Sequence, residues 1–141
     1  MTPIEELKAM EDVRQVKARY FRFTDAKNWP ELETVFCREG SLGGVEGPMF
    51  SGAGAIVDLI RNGTEGVTTV HHGHCHEVWV DSPDEAHGVI AFEDLGFSNR
   101  TDALVMHGYG RYHEIYRREA GAWRIWECKI ARRTVVDIKP R

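Results

Sequence analysis

Beyond Gly63 the chain holds four long segments of strand-like sequence with only short polar turns between them. They run over residues 67–80, 86–97, 103–118 and 123–138, and the breaks read DSPD, SNRTD and EAGA. Turns this short leave no room for crossover connections. The strands must therefore pair with their sequence neighbours as an antiparallel meander. Gly108 and Gly110 interrupt the third strand and predict a bulge or a sharp bend there. A bent sheet has a concave face, and that face needs a cover.

The first part of the chain supplies it. Thr2 can cap a helix, Pro3 suits its first position, and Glu5 completes a capping box. Ile4, Leu7, Met10, Val13, Val16 and Tyr20 follow at steps of three or four and form one apolar stripe. The spacing predicts a helix to about residue 26. Pro30 opens a second, short helix over ELETVFC, ending near Gly40. The glycine-rich GSLGGVEGPMFSG reads as short strands joined by turns. A third helix, AGAIVDLIRN, starts near Ser51 or Gly52 and stops at Gly63. Helices first and strands after argue an α+β fold. The expected architecture is one domain over residues 1–141, with a strongly curved, mainly antiparallel sheet wrapped around N-terminal helices and a pocket between them.

Charge and cysteine content exclude several function classes. The net charge is −4 and the basic residues form no clustered face, so nucleic acid is not an expected partner. No apolar run reaches membrane-spanning length, and the N-terminus MTPIEELKAMED is acidic and amphipathic, unlike a secretory signal. Cys37, Cys75 and Cys128 lie far apart without a C-x-x-C pattern, which argues against a disulfide framework or a cysteine zinc site. A reducing cytoplasm is the expected compartment.

The chemistry-bearing stretch is VTTVHHGHCHEVWV, which holds His71, His72, His74 and His76. Imidazole exchanges protons near neutral pH and also binds metals. On a regular strand His71, Gly73 and Cys75 share one face, while His72, His74 and His76 share the other. The second set could hold zinc, or it could simply decorate an outer sheet surface; no metal is expected. Asp25 closes the first helix among Phe21, Phe23 and Trp29. A carboxylate there opposes the helix dipole, so it either faces solvent or has a cationic or imidazole partner. Of the acidic pair Glu93 and Asp94 in mid-strand, one must point inward. His107, Tyr109 and Arg111 share one face of the third strand, and Gly108, Gly110 and Tyr112 share the other. Trp123 and Trp126 read as core or interface. Neither Cys75 nor Cys128 has an activating context. There is no G-x-S-x-G, phosphate-binding loop or dinucleotide fingerprint.

Four segments in order, ARYFRFTDAKNWPELETVF, GPMFSGAGAIVDLI, TVHHGH and GRYHEIYRREAGAWRI, resemble the SnoaL-like branch of the nuclear transport factor 2-like superfamily. The resemblance covers nearly the whole chain and implies a cone-shaped α+β barrel closed on one side by helices. The pattern is similar to the small lyases of that branch: scytalone dehydratase, bile acid 7α-dehydratase and hexachlorocyclohexane dehydrochlorinase. It implies that Asp25 and His71 form a catalytic dyad, with His72 as the competing histidine and Tyr20 as an electrophilic helper. Asp94, His107 and Arg132, with His72, are the expected substrate-binding residues. Relatives often carry an arginine where this chain has Cys128, which makes a halide leaving group less expected than a hydroxyl. The implied activity is a cofactor-independent lyase or isomerase, dehydratase-like, acting on a hydrophobic cyclic hydroxy- or keto-substrate. The alternatives are a non-catalytic small-molecule-binding or accessory protein and, less favoured, a metal-dependent enzyme. The resemblance also implies a homo-oligomer, dimer or trimer.

Overall fold

Thr2 starts the first helix as its sequence requires. The Glu5 backbone N–H donates to Thr2 Oγ1 at 3.2 Å, and the Thr2 N–H donates to Glu5 Oε2 at 2.7 Å. The computed structural model describes residues 1–137, with side chains through Arg133; the predicted end of the last strand at residue 138 lies outside them. The elements in order are α1 (Pro3–Asp25), α2 (Trp29–Glu33), β1 (Phe36–Gly44), β2 (Met49–Ser51), α3 (Ala53–Gly63), β3 (Val67–Ser82), β4 (Glu85–Ser98), β5 (Leu104–Glu119) and β6 (Ala122–Asp137).

The strands form one six-stranded sheet in the order β2-β1-β6-β5-β4-β3. The meander β3 to β6 is antiparallel throughout, as the short turns demand. The register between β5 and β6 shifts between His107 and Gly108, at the bend that the glycines predict. The sheet curves around α1 without closing. Val13, Val16 and Tyr20 of α1 meet Ile90, Phe92, Tyr112, Tyr116 and Ile125 from its concave face in one buried cluster. Burial of this apolar surface is the main drive to fold.

Two local readings need correction. The apolar stripe of α1 is not buried from its start: Ile4 and Leu7 are 79% and 65% exposed, and burial begins at Ala9. The second helix stops at Glu33 and does not continue towards Gly40. Residues from Phe36 form β1, which runs parallel to β6. The Ile125 N–H donates to the Val35 carbonyl at 2.9 Å, and Phe36 and Cys37 are buried beneath. A partner strand more than eighty residues away outweighs a weak local helical pattern.

The largest departure from regular alternation lies inside the histidine tract. His74 pairs with Ala91, but Glu77 pairs with Val89. One extra residue is inserted, and Cys75 takes a φ of 45°, in the left-handed region. Past this bulge the facing of β3 is inverted. Val78 is buried and Trp79 is 45% exposed. His76 therefore turns inward, away from His72 and His74.

Candidate functional site

Asp25 is the last residue of α1, and β3 passes directly beside it. Asp25 Oδ1 lies 2.6 Å from His71 Nδ1, and the His71 backbone N–H donates to Asp25 Oδ2 at 3.0 Å. The Thr69 hydroxyl donates to Asp25 Oδ1 at 2.9 Å. Burial pushes the Asp25 carboxyl up, but the His71 ring, the His71 N–H and Thr69 together hold it below its ordinary range. These contacts answer the unfavourable dipole position. Phe21, one turn earlier on α1, stacks on the His71 ring at 5.8 Å between centroids and 19° between planes. Gly73 makes room for it, since a Cβ there would come within 2.6 Å of Phe21.

The other imidazole nitrogen faces Asp94. His71 Nε2 is 3.8 Å from Asp94 Oδ2. The alternation of β4 buries Asp94 and turns Glu93 outward. Arg132 comes from the concave face of β6, with Nη2 2.7 Å from Asp94 Oδ2 and Nη1 3.1 Å from Oδ1. Four residues after Cys128, Arg132 thus brings a cation to the site. Cys128 itself is fully buried and lies opposite Glu114 in register. Its thiol is pushed up by burial and then by Glu114.

The sequence candidates separate into two groups. Asp25, His71, Asp94 and Arg132 converge. Tyr20 is buried one turn behind, edge-on to Phe36 and Tyr112. Burial, then Cys128 and Glu114, raise its pKa. His72 and His107 do not join them. His107 Nε2 pairs with Glu93 Oε1 at 3.1 Å on the outward face. His72 is exposed, with its ring 6.5 Å from that of His74. Strand parity puts both residues across the sheet from Asp94.

The bulge at Cys75 also separates the trio His72, His74 and His76. His76 packs on Tyr116, and burial pulls its pKa from 6.5 to about 4. Among the described residues, the group with ligand atoms close enough for a metal is Asp81, Glu85 and His87, within 4.8 Å of one another. Arg117 Nε already neutralises Glu85 at 2.8 Å.

Sequence reading missed a buried ionic cluster behind the site. Lys17 Nζ is 2.7 Å from Glu114 Oε1, with both side chains at most 1% exposed. The ammonium lies 3.3 Å from the Tyr112 ring centroid and 3.9 Å from that of Tyr20. The Tyr116 hydroxyl donates to Glu114 Oε2. The available signal was parity: Tyr112, Glu114 and Tyr116 continue the inward series begun by Gly108 and Gly110. Lys17 gave no signal, because a lysine beside an apolar stripe reads as a flank.

A groove of about 1020 Å³ is lined by neither Asp25 nor His71. Glu93, Tyr109 and Arg111 on the outward face and the turn at Gly44–Gly47 line it, and Phe92 and Arg132 reach it from the concave face. His71, by contrast, is enclosed, its side chain 8% exposed.

A family model of the SnoaL-like domain matches residues 5–129. Among solved structures, that of LinA superposes with a TM-score of 0.83 over 100% of both chains at 14% identity. A protein of Novosphingobium aromaticivorans, provisionally named a scytalone dehydratase, superposes at 0.81 over 96% of this chain and 91% of that one, with 19% identity. The hexachlorocyclohexane dehydrochlorinase LinA-type3 of Novosphingobium barchaimii does so at 0.78 over 99% and 100%, with 14% identity. At such identities the superpositions establish the fold alone. The family match spans most of the chain and agrees with that fold: this protein belongs to the SnoaL-like family.

Proposed function

We propose that the protein is a cofactor-independent lyase or isomerase of the dehydratase type. The observation that carries this reading is the 2.6 Å contact between Asp25 Oδ1 and His71 Nδ1. Asp25 accepts the Nδ1–H and so fixes the tautomer, leaving the Nε2 lone pair as the base. His71 Nε2 takes a proton from a carbon next to a carbonyl. The paired carboxylate stabilises the imidazolium that forms, without itself taking the proton. Phe21 and Phe92 offer apolar surface to a hydrophobic ring, and the Tyr20–Tyr112 pair offers a hydroxyl donor. The relatives' names, dehydratase and dehydrochlorinase, fit an elimination of this kind. Assembly of copies through the outward sheet face, where Trp79 and Tyr109 are exposed, belongs to the same proposal.

The test uses 3-hydroxycyclohexanone, whose dehydration gives an ultraviolet-absorbing enone. The enzyme is expected to accelerate enone formation, and Asp25→Asn and His71→Gln are expected to abolish the acceleration while keeping the far-ultraviolet circular dichroism. Acceleration that survives both substitutions sinks the dyad. A second reading, a non-catalytic binding protein, is favoured by one observation: a groove of about 1020 Å³ has neither Asp25 nor His71 in its lining. Under that reading ligand binding is indifferent to Asp25→Asn.

A further inference from the structure

Proton transfer at His71 makes no use of the Lys17–Glu114 pair, whose charged atoms are 2.7 Å apart and whose side chains are at most 1% exposed. Two charges taken out of water are costly to keep, and apolar side chains of similar volume often fill such a space as well. What the pair does is visible around the ammonium. Lys17 Nζ lies 3.3 Å from the Tyr112 ring centroid, 3.9 Å from that of Tyr20 and 5.0 Å from that of Phe21. A cation within about 6 Å of a ring face attracts it, most strongly away from water. Glu114 fixes the cation, so three rings are drawn to one fixed point.

Phe21 carries that order to the imidazole. Lys17, Phe21 and Asp25 follow one another at steps of four on α1 and so stand in one row. Asp25 holds the His71 ring by Nδ1 at 2.6 Å, and Phe21 stacks on it at 5.8 Å and 19°. A hydrogen bond fixes one edge of a ring; a stacked neighbour fixes its plane. Phe21 is itself set between Tyr20, at 68° to it, and Tyr112, at 59°, the two rings nearest the ammonium. Without the cation, the tilt of Phe21 rests on apolar burial, which has no preferred direction.

We propose that Lys17 is a positioning residue for the base: anchored by Glu114, it holds Phe21 flat against His71 and so sets the direction in which Nε2 points. This rests on the reading of His71 as the base. Asp25 and Lys17 then divide the work along one face of α1. Asp25 sets the tautomer and one edge of the imidazole, and Lys17 sets its plane through Phe21. Lys17 exchanges no proton with the substrate. A base turned out of line by about 1 Å loses about 100-fold in rate without losing its substrate, because binding is made by other groups.

The test compares wild type, Lys17→Met, Lys17→Met/Glu114→Leu and Phe21→Leu. The double variant leaves no stranded charge and guards against misfolding of the single one. Two quantities are measured on the folded protein: kcat and KM for 3-hydroxycyclohexanone, and the His71 ring resonances, assigned by their loss in His71→Gln. In the double variant kcat is expected to fall by about 10- to 100-fold with KM within about twofold of wild type. The His71 resonances are expected to move towards their positions in Phe21→Leu, while those of His107, on the outward face, stay in place. A merely structural pair gives the opposite result: the double variant, once folded, has wild-type kcat and unmoved His71 resonances, and either outcome overturns the assignment. A fall in kcat with those resonances unmoved also overturns it and leaves the lyase reading standing. A wild type that does not turn over the ketone removes the lyase reading, and the His71 resonances of the double variant then decide by themselves whether Lys17 sets the ring.

Discussion

Asp25 holds His71 at two points, taking its ring nitrogen at 2.6 Å and its backbone N–H at 3.0 Å. The carboxylate thus fixes both the strand and the imidazole it carries. The helix end and the start of β3 are locked together by the same group that orients the proposed base.

Removing that charge is expected to separate orientation from fold. Asp25→Asn should retain the fold and lower elimination turnover by about 10²–10⁴-fold. It should also change acid stability. The folded Asp25 pKa lies below its ordinary value of 3.8, so the unfolded chain binds the proton more tightly. That contribution is present above the unfolded value and is lost as pH falls through the folded one. Urea midpoints measured from pH 5 downward should decline less steeply in the asparagine variant.

His76 sets a different window. Its pKa falls from 6.5 to about 4, chiefly through burial, with Lys17 and Arg14 adding to the effect and Glu114 opposing it. The unfolded chain therefore takes up a proton that the folded chain refuses. The His76 contribution to stability should be full above pH 6.5, fall as pH drops to about 4, and level off below. Urea melts of His76→Gln should show a flatter profile across that range.

The Lys17–Glu114 pair is expected to behave as an interior ion pair. Removing one partner strands a buried charge, so Lys17→Met or Glu114→Gln should each cost about 3–5 kcal/mol. The double variant Lys17→Met/Glu114→Leu should lose less than the sum of the two single changes. A double-mutant cycle from urea denaturation measures this, and simple additivity would count against the pair.

Gly73 should not tolerate even a methyl group. A Cβ there would lie 2.6 Å from both Phe21 Cε2 and Ile90 Cδ1. Gly73→Ala is expected to cost about 1–3 kcal/mol by overpacking. Because Phe21 stacks on His71, the His71 ring resonances should shift with it, whereas Gly63→Ala, with open space at its Cβ, should leave them in place.

Local pattern carried a large share of this molecule. The capping box of α1 and the four long strands are consequences of short-range chemistry and of a period of two or 3.6, which also required one of Glu93 and Asp94 to face inward without saying which. Asp25 stood out as a carboxylate badly placed on its helix, whereas parity only split the histidines into two faces, and the choice of His71 over His72 came from the family resemblance. The tertiary structure decided what periodicity cannot encode. Phe36 and Cys37 became a strand because β6 offered an open edge. One extra residue at Cys75 inverted the facing of β3, so His76 entered the core and the apparent histidine cluster came apart. Lys17 met Glu114 across 97 residues of sequence. Arg132 reached Asp94 from β6, two strands away in the sheet. These are non-local pairings, and each exists only because the curved sheet brings distant side chains into a space with little water. There an unpaired charge or a misplaced ring is too costly to keep.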